Sequence, residues 1–86
     1  MTLFNYGLLL EDNKDYRRAR EYIEKAVKIS ADMYRMAPAL YGYYIRYVFG
    51  GYVTFMKERY SEEDALHFIK QNNLLDIFEI INAQED

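Results

Sequence analysis

The chain has 86 residues, so one domain is the expectation, and a domain of this size builds only a small core. Hydrophobic residues make up 51% of it, which is enough for that core and excludes intrinsic disorder, while the absence of cysteine excludes disulfides and thiolate zinc sites. A net charge of −3 leaves non-specific nucleic-acid binding without overall electrostatic support.

One proline and four glycines in the whole chain point to an all-α fold, a small bundle of about five helices. Ten tyrosines with no tryptophan are a bias that helical periodicity does not explain. Residues 1–86 read as a single helical domain in three blocks: a hairpin over 1–36, a long apolar helix over 38–60 and a C-terminal helical pair over 61–86. No signal peptide is expected. The N-terminus has no basic region, and Glu11 and Asp12 end the first apolar run. A cysteine-free chain is compatible with a reducing compartment, and the expected location is cytoplasmic.

The first helix is predicted over residues 2–12. Leu3, Tyr6, Leu9 and Leu10 recur at helical spacing. The run Glu11-Asp12-Asn13-Lys14-Asp15 then interrupts the stripe. Asn tolerates the left-handed conformation that stops a helix, so Asn13 is the expected stop. Asp15 is the expected N-cap of the second helix, because its carboxylate accepts from N–H groups of the next turn. That helix is predicted over 15–36, with Ser30-Ala31-Asp32 as a possible earlier break. Tyr16, Ala19, Ile23, Ala26 and Val27 form its apolar stripe. Arg17-Glu21, Arg20-Glu24, Glu21-Lys25 and Glu24-Lys28 lie four apart on its polar face, each worth about 0.2–0.5 kcal/mol. Gly7, Ala19 and Ala26 lack bulk where two helix axes would approach.

Residues 3–29 resemble one tetratricopeptide repeat. Gly7 stands at the small position, Leu10 where tyrosine is usual, and Ala19, Ile23 and Ala26 follow twelve, sixteen and nineteen residues after Gly7. Asp15-Tyr16 also fits the start of the second helix. Leu3 replaces the usual tryptophan, Tyr6 replaces leucine, and Ala31 stands where the closing proline is expected. The likeness covers about a third of the chain. At Tyr41, where another repeat would begin, Gly42 is one residue out of register and no matching alanine follows. The resemblance implies a concave groove lined by the first helix. Phe4, Asn5, Leu8, Glu11 and Asp12 would then face a bound peptide, although Phe4 and Leu8 fit a core equally well. The acidic pair Glu11 and Asp12 does not suit capture of a peptide carboxylate.

Pro38 opens the third helix, predicted to run to Tyr60, since proline disfavours an α conformation at Ala37 and suits a first helical position. Its middle, APALYGYYIRYVFGGYVTFM, is long enough to raise a membrane span. The central Arg46, the tyrosines and Gly50-Gly51 argue against one and for a buried helix. Gly50-Gly51 marks either a kink or a close contact. Short neighbours cover such a helix only in part, so an exposed patch holding Tyr43, Tyr47 and one of the two glycines is expected, and with it a homodimer or a complex with another helical protein. Ser61 caps a fourth helix over 62–71, Asn72-Asn73 makes a turn, and a fifth helix covers 73–84, with fraying expected over 83–86.

Chemistry is sparse. His67 is the single histidine, and with Glu63 and Asp64 it does not reach the ligand set of a transition-metal centre. The 11–15 run lacks the glycine and distant glutamate of an EF-hand. Ser30 and Ser61 have no histidine near them in sequence, and there is no phosphate-binding loop. No cofactor, metal or enzymatic activity is expected. Lys14, Arg17, Arg18 and Arg20 with Tyr16 and Tyr22 would suit bases, but Glu21 and Glu24 neutralise that face. The fifth helix carries Asp76 and Glu79 and no cation, which is wrong for a major groove. The expected role is therefore a helical protein–protein interaction module. The alternatives are a homo-oligomeric structural or regulatory subunit assembled through the tyrosine-rich helix and, more weakly, a small DNA-binding regulator.

Overall fold

Helix starts follow the capping chemistry of the sequence. In the computed structural model, which describes residues 2–83, the Thr2 hydroxyl accepts from the Asn5 N–H at 3.1 Å and opens α1 (Leu3–Asp12). Asp15 caps α2 (Tyr16–Met36), Pro38 begins α3 (Pro38–Arg59), and the Ser61 hydroxyl accepts from the Asp64 N–H at 3.1 Å to start α4 (Glu62–Gln71). The last helix is α5 (Leu75–Ala83). The fold is all-α, with no strand among the described residues. Fraying over 84–86 lies outside them.

Both tight turns end their helix in the same way. Lys14 has φ 63° and Asn73 has φ 58°. The Lys14 N–H donates to the Glu11 carbonyl and the Asp15 N–H to the Leu10 carbonyl, both at 2.9 Å. Asn73 and Leu74 repeat the pattern onto Lys70 and Ile69 at 3.2 and 2.9 Å. These are Schellman pairs, which require the left-handed residue one position after the C-cap. Asn13 is that C-cap, at φ −86°, so the left-handed residue is Lys14 and not Asn13. The same geometry delays α5 to Leu75 from the expected residue 73. The Ser30-Ala31-Asp32 stretch does not break α2, and the buried Ser30 hydroxyl is satisfied within the helix by donating to the Val27 carbonyl at 2.9 Å.

Helices α2 and α3 form the centre, with α1 on one side and α4 and α5 on the other. At the α1–α2 crossing Gly7 is buried against Ala19 and Ile23. A Cβ there would stand 3.3 Å from the Ala19 carbonyl oxygen and in overlap with Ile23. On the α3 side of α1, Phe4 lies over Gly51 and edge-on to Tyr47, with centroids 5.1 Å apart. Seven residues later Glu11 accepts from Arg59 at 3.4 Å, so α1 runs alongside α3 in the same direction. Phe49 against Phe78 and Tyr52 against Phe68 bring in the C-terminal pair. Arg35 ties α2 to α5 by donating to both Asp76 oxygens and to the Asn73 carbonyl. That guanidinium holds the Asp76 carboxyl below its ordinary value. No helix among the described residues is long and apolar enough to cross a membrane.

The two adjacent glycines of α3 have different jobs. The helix passes through both without interruption. Gly51 makes room for the Phe4 ring, whereas a Cβ on Gly50 would meet nothing within 4 Å. Gly50→Ala is therefore expected to stabilise the fold by about 0.5–1 kcal/mol, the ordinary gain of alanine in a helix. Gly51→Ala is expected to cost about 1–3 kcal/mol through overpacking. Thermal melts of the two variants check the pair, and shifts of the same sign would contradict the Phe4 contact.

Candidate functional site

Phe4, assigned to an open groove by the repeat resemblance, belongs to the core. It is only 2% exposed, because α3 closes over α1 at Gly51 and Tyr47. Its former neighbours in that set remain near the surface. Asn5 and Asp12 are exposed, Leu8 packs half-buried against the core, and Glu11 is half-buried under Arg59. Leu9, from the expected apolar stripe, is instead exposed. Tyr43 is 81% exposed and Tyr47 is 54% exposed. Because Tyr47 rests on Phe4, the outer edge of α1 and the tyrosine stripe of α3 are adjacent parts of one surface.

That surface continues into a groove that sequence reasoning missed. Helix α1 has 10 residues and α2 has 21, so α1 leaves the last turns of α2 without a partner on its side. Helix α3 overhangs in the same way, since Phe4 meets it at Tyr47 and Gly51 and the turns before Tyr44 extend past the start of α1. The result is a groove of about 620 Å³ between Leu3, Ile29, Met33, Leu40, Tyr41 and Tyr44. Two of its walls are open to solvent, Leu40 at 71% and Ile29 at 48% exposed, and Met36, three residues past Met33 on α2, is 85% exposed. A smaller hollow of about 260 Å³ lies between Tyr43, Arg46 and Tyr47 further along α3. The mismatch in helix length was the signal that could have located the groove, since the predicted spans 2–12 and 15–36 already contain it.

The hydroxyl of fully buried Tyr52 donates to Glu24 at 2.7 Å, Arg20 donates to the same carboxylate oxygen at 3.1 Å, and the Arg20 guanidinium lies 4.6 Å over the Tyr60 ring. This network joins α2 to α3. Burial, reinforced by Glu24, pushes the Tyr52 phenol well above its ordinary value of 10. The neutral phenol is the form the fold favours, so its contribution is complete below about pH 10 and is lost as pH rises beyond that. The urea midpoint is expected to fall above about pH 10, by up to about 1.4 kcal/mol of stability per pH unit from this group. Tyr52→Phe is expected to flatten that fall, and a variant with the same alkaline slope would contradict the assignment.

Two members of the basic cluster, Arg18 and Arg20, are engaged within the chain, while Lys14 and Arg17 are exposed. Arg18 meets Asp15 and the Tyr6 hydroxyl, Arg20 meets Glu24, and Arg59 covers the Tyr16 ring at 4.5 Å. Tyr22 is packed edge-on by Tyr6 and flanked by Lys25. The Ser30 and Ser61 hydroxyls are used in a helix turn and a cap. His67 is exposed, and no three described His, Cys, Asp or Glu residues converge on a point that could hold a metal ion. The chain matches no protein-family model, no curated protein and no solved structure.

Proposed function

We propose that this chain is a non-enzymatic helical protein–protein interaction module, a tetratricopeptide-like scaffold or adaptor that docks another protein or peptide. The observation that carries the reading is the open apolar face at the α2–α3 end, where Met36, Leu40, Tyr43 and Tyr47 stand exposed around a preformed groove. A contiguous apolar surface of this kind marks a contact site. Tyrosine suits it, giving broad contact area with a hydroxyl that tolerates water. The small-residue crossing at Gly7 and Ala19 supports the repeat-like part of the proposal. A cytoplasmic location completes it, and the cysteine-free composition is compatible with that.

The contact face is the Ile29–Tyr47 end of the molecule, with Asn5 and Leu8 at its edge; Asp12 lies at the other end of α1, beside the Glu11–Arg59 pair. Phe4 acts from beneath by supporting Tyr47. Differential crosslinking tests the proposal in cells that express the chain. The wild type and Leu40→Glu, a change at an exposed position that leaves the core intact, are crosslinked and recovered side by side. Products formed by the wild type and lost in the variant support the module. Identical products from both would contradict it.

A further inference from the structure

The open face contains both a hollow and the side chains to fill one. We infer that its partner is a second copy of this chain, paired about a two-fold axis so that Met36 and Tyr43 of each copy seat against the groove that Ile29, Met33, Leu40 and Tyr44 line in the other. This rests on the reading of that face as a protein contact.

A two-fold interface uses one patch twice, so the patch must be complementary to itself. Here projecting residues and groove lie side by side on the same two helices. The area is also suitable. At their exposures Tyr43 and Tyr47 leave on the order of 300 Å² open. Met36, Leu40 and Ile29 bring the total to roughly 600–700 Å². Backbone and hydroxyl atoms included, that approaches the ~800 Å² of total surface per partner of a standard interface.

Charge favours the pairing too. The groove lining and Met36 are uncharged, so a second copy brings no like charges together in the groove itself. Exposed Lys28 and Asp32 flank the face on α2 and Arg46 flanks it on α3. With both signs at the rim, Asp32 of each copy can meet a cation of the other.

Sedimentation velocity with light scattering on the full chain tests this, from low to high micromolar concentration, for the wild type, Leu40→Glu and Tyr43→Glu. The wild type is expected to approach twice the 10.4 kDa chain mass as concentration rises. Each variant is expected to keep its helical dichroism and melting temperature while its dimer dissociation constant rises about tenfold or more. A wild type that stays at 10.4 kDa through high micromolar concentration overturns the inference, and so does a dimer that both variants leave intact. A monomeric wild type that still forms Leu40-dependent crosslinks to other proteins would end the second-copy inference and leave the interaction module standing. A monomeric wild type without them would end both.

Discussion

Phe4→Ala is expected to destabilise the fold by about 3–5 kcal/mol, the usual cost of deleting a buried phenylalanine. The ring fills the space that Gly51 leaves on α3, supports Tyr47 edge-on and is almost fully enclosed. A domain of this size has roughly 4–13 kcal/mol in total, so the loss is a large part of it. The melting temperature should drop by about 4–8 °C for each kcal/mol. Urea titration measures the loss directly. A cost below about 1 kcal/mol would mean that Phe4 is not a core residue and would return it to the contact surface. The pairing with Gly51 adds a second check. Gly51→Ala is expected to cost less in the Phe4→Ala background than in the wild type, because the methyl then enters vacated space.

Ala19→Leu is expected to cost about 1–3 kcal/mol by overpacking the α1–α2 crossing. Ala19 is fully buried, and its carbonyl faces Gly7 so closely that the helix axes have no room to absorb a larger side chain without separating. Gly7→Ala should also destabilise, since its Cβ overlaps Ile23, and this opposes the intrinsic gain of alanine in a helix. Thermal denaturation followed by dichroism checks both. An unchanged melting temperature for Ala19→Leu would show that the hairpin does not pack at these residues.

Most of the fold was legible because its punctuation is local. Asp15, Pro38 and Ser61 each act on the next one or two turns, and the helices they open begin where those residues predict. Asn13 does stop α1, but the left-handed residue falls one position after it, for an equally local reason. Asparagine is the better left-handed residue, but the hydrogen bonds of the Schellman turn dictate the position, and Lys14 occupies it.

Phe4 could not be read locally. Its burial depends on Gly51, which meets it only after three helices have folded together. The apolar stripe of α1 shows which residues face α2, but it does not show that α3 lies along the neighbouring side. The same limit explains Leu9, which the stripe includes and the fold leaves exposed. Exposure of Tyr43 and Tyr47 was expected from the excess of apolar length in the third helix over what its short neighbours cover. The groove beside them depends on the Ile29, Met33 and Met36 turns of α2 outlasting α1, a comparison of two helix lengths that no single motif contains.

The central claim, that the Ile29–Tyr47 face is a protein contact, is tested most directly by tyrosine nitration. The dilute purified chain is compared with the chain in expressing cells, and modified residues are read by mass spectrometry. Tyr52, fully buried and bonded to Glu24, should resist in both states, and Tyr60, outside the face, should react alike in both. Tyr43 and Tyr47 should react readily in the dilute chain and be protected in the cell. Equal reactivity of Tyr43 and Tyr47 in the two states would contradict the claim.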